Sequence, residues 1–243
     1  MRQVERLTRW PLRALALVLV IGAANTSLAQ DASAIRAGTC TYQLSLARPN
    51  GETTPLGTRT VTVSETALGG TPGWLVAESR TGTLVPTFDS AFVSRADLSP
   101  VRWIAGIGTA QLAASFTRDS VFGVVQNYQG RANFVLGIPP NLLLSAGLTE
   151  RMIELLPRKE GFRASMTLLL VPGTVPTLVP ADLTVEREET VTVLGRAVRA
   201  WRVALRAGAV EQRYWVSRDD GRVVRTEQAL PEGMLVAELV VGG

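Results

Sequence analysis

Asp219 and Asp220 stand side by side before Gly221 in the stretch YWVSRDDGRVVRTEQ (residues 214–228), and Glu186, Glu188 and Glu189 cluster upstream of them. Paired carboxylates are the machinery of glycoside hydrolysis and of calcium binding. Each group also has a structural explanation. Asp-Gly at the centre of a two-residue hairpin loop supplies the positive backbone angles of a type I′ turn, and alternating strand sequence flanks it on both sides, so the aspartates read as the bend. Glu186 and Glu188 are two apart in a strand that begins near Leu183, which places them together on its polar face as a solvated edge.

Other chemistries are restricted by what the chain lacks. There is no histidine, which removes the Ser-His-Asp and Cys-His arrangements, histidine zinc sites and the commonest acid/base side chain at neutral pH. The single cysteine, Cys40, can form neither an internal disulfide nor a thiolate cage. It follows Ala37-Gly38-Thr39, which is not a lipobox, and it reads as a small side chain at the start of the first strand. Gly106-x-Gly108 continues as Thr109-Ala110-Gln111, so the third glycine of a dinucleotide fingerprint is missing. No catalytic residue, metal site or cofactor is therefore assigned. A hydrolase built on carboxylates or Ser/Thr without histidine is the weakest of the readings, because no constellation supports it.

The elements that would position any site are mostly strands. Tyr42, Leu44 and Leu46 alternate with Thr41, Gln43 and Ser45; Val61 and Val63 alternate with Thr60, Thr62 and Ser64; Trp201, Val203 and Leu205 alternate with Arg202, Ala204 and Arg206. Such a period of two marks antiparallel strands with one buried and one wet face. Turn pairs recur at Asn50-Gly51, Gly69-Gly70, Asp119-Ser120, Leu194-Gly195, Ala207-Gly208 and Asp220-Gly221. Together they predict a meander of about ten strands in one curved antiparallel sheet, an incomplete barrel.

One segment breaks the pattern. After Pro139-Pro140, the stretch NLLLSAGLTERMIELLP puts Leu148, Met152, Leu155 and Leu156 on one helical face and Glu150, Arg151 and Glu154 on the other, and Pro157 ends it. This amphipathic helix of about four turns should lie across the concave face of the sheet, where it could plug the sheet or act as a movable lid. Its polar face is mixed in charge rather than basic, unlike a membrane-surface helix. Trp74, Trp103, Trp201 and Trp215 sit in or beside strands and serve either as core or as the lining of an apolar cavity. The candidate cavity-lining or lid residues are thus Trp103, Leu148, Met152, Leu155, Trp201 and Trp215.

The start of the chain reads as an export signal. Arg2, Arg6, Arg9 and Arg13 precede an apolar run from Ala14 to Ala24, and Ser27-Leu28-Ala29 has the small-x-small pattern of a cleavage site. The run is short for a bilayer span, so no stable transmembrane anchor is expected after cleavage. The leader holds four of the 25 basic and one of the 21 acidic residues, leaving 21 and 20 in the rest of the chain. That balance, with no run of like charge, implies no nucleic-acid partner. The expected organisation is a signal over 1–29, a loose tail over 30–38 and one β domain over 39–243, in a periplasmic or secreted protein.

With these elements in place, DSAFVSRADLSPVRW (89–103), YWVSRDDGRVVRTEQ and the terminal MLVAELV, with one helix between the halves, resemble exported bacterial proteins of the LolA/LolB-like superfamily. The chain is most similar to a branch of periplasmic domains of unknown function, over about residues 39–241. The resemblance implies a strongly curved antiparallel sheet with a helical element over its mouth. Members of known role carry acyl chains or lipoproteins across the periplasm; no binding residue transfers to this chain. The expected function is that of a non-enzymatic envelope protein that binds or carries an apolar ligand, a lipid or acyl chain, in envelope biogenesis. The alternative is a structural or interaction module with a filled core that binds another envelope protein.

Overall fold

The computed structural model of the chain describes residues 35–128, 130–139, 142–143, 146–170 and 176–242. The expected signal, 1–29, and residues 30–34 of the expected tail lie outside the described residues. Ile35 is buried in the core, and the first strand begins at Gly38.

Alternation in β1 (Gly38–Ala47), β2 (Thr53–Leu68) and β3 (Thr71–Gly82) turns Tyr42, Leu44, Val61, Val63, Trp74 and Val76 to one face, where all are buried. Shorter strands continue the meander: β4 (Thr87–Ser94), β5 (Pro100–Ile107), β6 (Ala110–Phe116), β7 (Ser120–Asn127) and β8 (Gly130–Gly137). After the two-residue β9 (Leu142–Leu143) and the helix α1 (Ala146–Glu154) come β10 (Arg163–Leu170), β11 (Thr177–Val193), β12 (Arg196–Ala207), β13 (Val210–Ser217), β14 (Val223–Leu230) and β15 (Gly233–Gly242). All lie in one sheet, in the order β8-β7-β6-β5-β4-β3-β2-β1-β15-β14-β13-β12-β11-β10-β9. The first and last strands pair at its middle, Tyr42 opposite Leu239 and Leu44 opposite Ala237. Every ladder is antiparallel except that of β9 on β10.

The meander is as expected, but the described residues form fourteen strands of seven residues or more, plus β9, rather than about ten. Strands β5–β8 are short, and alanine, serine, asparagine and glycine weaken their polar/apolar contrast. The sheet is open: among the described residues its edges, β8 and β9, share no ladder. Close approach of strands is permitted where Gly57 faces Gly82. Both have positive φ, +131° and +127°, and a Cβ on Gly57 would lie 1.9 Å from the Thr81 carbonyl oxygen.

Helix α1 is nine residues long, shorter than the expected four turns. Leu142 and Leu143, at the front of the expected helix, are used by β9, which pairs with Thr167 and Leu168. At the other end Leu155 and Leu156 donate to the carbonyls three residues back, a tightened last turn before Pro157. The helix lies against the concave face, between the two halves of the sheet. Leu148 belongs to the core formed by β1–β7, and Ile153 and Leu156 belong to the core formed by β10–β14. Met152 packs against both.

The hairpin rules hold with one correction. Leu194 and Gly195 have φ of 46° and 79°, and Val193 pairs with Arg196, which is the two-residue turn expected there. At Asp220-Gly221 the bend is present but wider. Gly221 has φ +75° while Asp220 does not join it, and the Gly221 N–H donates to Ser217 O at 3.0 Å. The Ser217 hydroxyl accepts from the Asp219 and Asp220 N–H groups, and Asp220 Oδ1 accepts from the Arg222 N–H at 3.1 Å. The Asp220 carboxylate is occupied in holding this loop, and Asp219 contributes its backbone N–H.

Candidate functional site

The most unusual chemistry in the molecule is a buried charge network at the junction of α1 and the sheet. Its strand members occupy inward positions of alternating sequences. Arg59 shares a face with Val61 and Val63 in β2, and Glu78 shares a face with Trp74 and Val76 in β3. Helix α1 brings Glu150, Arg151 and Glu154. Exposure is 2% for Glu150, 3% for Arg59, 6% for Glu78 and 7% for Arg151. Glu150 and Arg151, which have the spacing of a wet helical face, therefore point inward against the sheet, while Glu154 stays half-buried.

Arg59 is the hub. Nη2 donates to Glu78 Oε2 at 2.8 Å, Nη1 donates to Glu150 Oε1, and the guanidinium lies 5.3 Å from the centre of the Tyr42 ring. Burial pulls its pKa down, but Glu150 and Glu78 outweigh burial and hold it well above the usual arginine value. Burial likewise raises Glu78, and Arg59 together with Arg80, at 2.9 Å, reverses this and holds the carboxyl below its usual range. Tyr42 donates to the Val223 carbonyl at 3.1 Å, and burial, reinforced by Glu150, raises its phenol well above normal. Burial brings a further tyrosine, Tyr214, above normal as well.

Glu154 is the exception. Burial lifts its carboxyl to about 7, against Arg151 (2.9 Å) and the Val223 N–H (2.8 Å), which both favour the ionised form. It sits in a cleft of about 170 Å³ between the 35–40 segment, the end of α1 and the 220–222 loop. A second opening of about 30 Å³, beside Arg59, Glu150 and Tyr214, lies near the other end of the network. There Tyr214 donates to Gln212 at 2.7 Å and Gln212 donates to Gln228 at 3.0 Å.

The six residues singled out from sequence divide among three places. Trp103, Leu148, Met152 and Leu155 meet in the core of β1–β7, with the Trp103 indole N–H donating to Asp89 at 3.0 Å. Trp201 packs on the core of β10–β14. Trp215 is on the opposite, convex face with Val193, Ala200 and Val224, where it donates to Glu189 at 2.8 Å and lies under Arg225. Tyr214, its neighbour, takes the inward position instead.

The glutamate cluster is also rearranged. A bulge between Val185 and Arg187 shifts the register, so Glu188 lies opposite Trp201 while Glu189 lies opposite Ala200 on the convex face. Glu186 pairs there with Arg202 at 2.5 Å, and Glu188 pairs with Arg218. Glu186 and Glu188 thus do not share a face, because one extra residue inverts the alternation.

Arg59 and Glu78 carried a signal that residue types alone do not give. Each charged residue stands at an inward position of a strand whose other inward residues are apolar, and the two signs are opposite. Among the described residues no group of three or more His, Cys, Asp or Glu side chains could hold a metal ion. No described helix is long and apolar enough to cross a membrane.

An open antiparallel sheet coiled about one buried helix is the class of architecture that these elements define. No protein-family model and no curated protein matches the sequence. Among solved structures, the chain is similar to the beta-barrel-like protein of domain of unknown function DUF1849 from Brucella abortus. The TM-score is 0.57 at 11% identity, over 85% of this chain and 97% of that one, so the two share a fold. The hypothetical lipoprotein YmcC from Escherichia coli aligns over 86% of both chains with a TM-score of 0.32 and 12% identity.

Proposed function

We propose that this protein is an exported component of the bacterial cell envelope that acts as an interaction module with a filled interior. The observation that carries this reading is helix α1, packed between the two halves of the sheet with Leu148, Glu150 and Ile153 all buried. Ligand pockets for molecules of lipid or drug size enclose about 300–1,000 Å³. Two openings beside the helix, of about 170 Å³ and 30 Å³, are both lined in part by charged side chains.

The carrier reading, which the resemblance to LolA/LolB-like proteins favours, requires α1 to withdraw. Leu148, Ile153 and Leu156 would lose their burial, at about 1.5–3 kcal/mol each, and the Arg59–Glu150 pair would break, at about 3–5 kcal/mol. The total is on the order of 10 kcal/mol, similar to the whole stability of a typical domain. A lid of that cost does not open for a ligand of ordinary affinity.

Export is supported by the basic leader and the apolar run that precede Ser27-Leu28-Ala29. A non-enzymatic role is supported by the lack of histidine and by the structural use of the Asp220 carboxylate. The surface offered to a partner is the edge at β8, which pairs with β7 on one side and, among the described residues, has no ladder on the other. Beside it Phe122 and Val135 face each other, 45% and 74% exposed. An edge of this kind takes an added strand.

The test is native mass spectrometry of the protein released from its own envelope without detergent. The expected result is the bare polypeptide mass, alone or with a protein partner. Extra mass of lipid size, lost on organic extraction, overturns the filled-interior reading in favour of a carrier. Steady turnover in an ester, glycoside and phosphate panel overturns the non-enzymatic one.

A further inference from the structure

The 170 Å³ cleft at the end of α1 has a composition that packing alone does not require. Arg36, Arg151, Arg158 and Arg222 line it, against the two carboxylates Glu154 and Asp220. These come from four separate parts of the chain: the segment before β1, the helix, the turn after it and the β13–β14 loop. Arg151 is buried to 7% exposure, pairs with Glu154 through Nη1, and has no hydrogen-bond partner for its buried Nε. Arg158 is fixed in place by donating to the Glu154 carbonyl at 2.7 Å and the Gly221 carbonyl at 3.3 Å. Burial lowers its pKa, with Glu154 and Asp220 opposing, so this guanidinium is partly stripped of water.

We propose that this cleft is a binding site for a small oxyanion of the phosphate class, held by Arg36, Arg151, Arg158 and Arg222. Four guanidinium groups against two carboxylates leave two positive charges, which a dianion matches. Guanidinium forks bind tetrahedral oxyanions through paired, charge-assisted hydrogen bonds. The volume admits such a group and is smaller than that of pockets enclosing lipid- or drug-sized ligands. The site is independent of whether the interior of the sheet takes a lipid.

Glu154 couples the site to pH. It faces Glu150 and Arg151 on its own helix, Arg158 beyond it, Cys40 from β1, Arg36 from the segment before β1, and Asp220 and Arg222 from the loop. With its carboxyl titrating at about 7, the cleft gains a positive charge below that pH. Anion affinity should therefore fall as pH rises, about tenfold between pH 6 and 8 for one linked proton.

Sulfate is the probe, because its charge is constant over that range. Binding to the full folded protein is measured by calorimetry and by Tm, with chloride holding ionic strength constant. A saturable signal is expected. The R36Q/R222Q variant should lose at least tenfold in affinity while keeping its Tm in chloride, since both side chains are at the surface of the cleft. E154Q keeps the acceptor for the Val223 N–H and should bind more tightly at pH 8, with no pH dependence. Lack of saturation, or equal binding by wild type and R36Q/R222Q, overturns the proposal. Competition then identifies the source. Displacement of sulfate by inorganic phosphate supports a free anion, displacement only by dihexanoyl phosphatidic acid supports a headgroup, and displacement by neither overturns the phosphate class.

Discussion

Replacing Arg59 with methionine tests whether the network locks the helix. The side chain keeps much of its apolar stem but loses both donors, leaving Glu150 and Glu78 buried on either side of a neutral group. Glu78 retains Arg80 at 2.9 Å, whereas the nearest cation to Glu150 is Arg151 at 3.9 Å. Breaking a buried pair from one side costs about 3–5 kcal/mol, because the surviving charge is left desolvated. For a domain of this size that is a Tm loss of about 6–20 °C. Replacing both partners by apolar residues avoids the stranded charge, so R59M/E150M should recover at least half of the loss. Arg48–Glu52, exposed on both sides at 3.0 Å, is the control, and R48M should cost less than about 1 kcal/mol. Urea unfolding followed by tryptophan fluorescence gives the free energies, and hydrogen exchange at 148–156 reports helix release directly. If R59M costs no more than R48M, the reasoning is wrong: the network would then be hydrated, and the helix free to move.

Three further outcomes follow from other parts of the molecule. The Glu154 carboxyl titrates at about 7 when folded against 4.5 as a free side chain, so the folded state binds the extra proton between those values. Its contribution is fully present below pH 4.5 and is lost as pH rises through 7, a change of about 3 kcal/mol. E154Q should flatten this part of a denaturation series; Glu78, with its lowered value, acts oppositely and only in more acidic solution. Gly57→Ala should cost about 3 kcal/mol or more, since its Cβ meets the Thr81 carbonyl, whereas Gly51→Ala, at φ +86° with open space around it, should cost about 1–2 kcal/mol in the same unfolding assay. Trp215→Phe should cost about 1–2 kcal/mol through the lost bond to Glu189 and leave sulfate binding unchanged; a change in binding would mean that the convex and concave faces are coupled.

Much of the architecture is written locally. Alternation in β1, β2 and β12 and the pairs Gly69-Gly70 and Leu194-Gly195 specify strands and turns because side-chain period and backbone angle are properties of neighbouring residues. The single helix is equally legible from Leu148, Met152 and Leu155, as is the narrowing of chemistry that follows from a chain without histidine. What periodicity cannot reveal is what lies on each side of an element. The polar residues Glu150 and Arg151 have the spacing of a wet face, yet the sheet curls past the helix and buries them opposite Arg59 and Glu78. Trp201 and Trp215 look equivalent in sequence, and the register that sets Trp201 beside Val216 sends them to opposite faces. One bulge at Val185/Arg187 does the same to Glu186 and Glu188. Local sequence thus specifies the kinds of element and the chemistries left to them. Which charges share a low-dielectric interior is settled in three dimensions, because that depends on sheet curvature and register, sums over many residues that no single stretch contains.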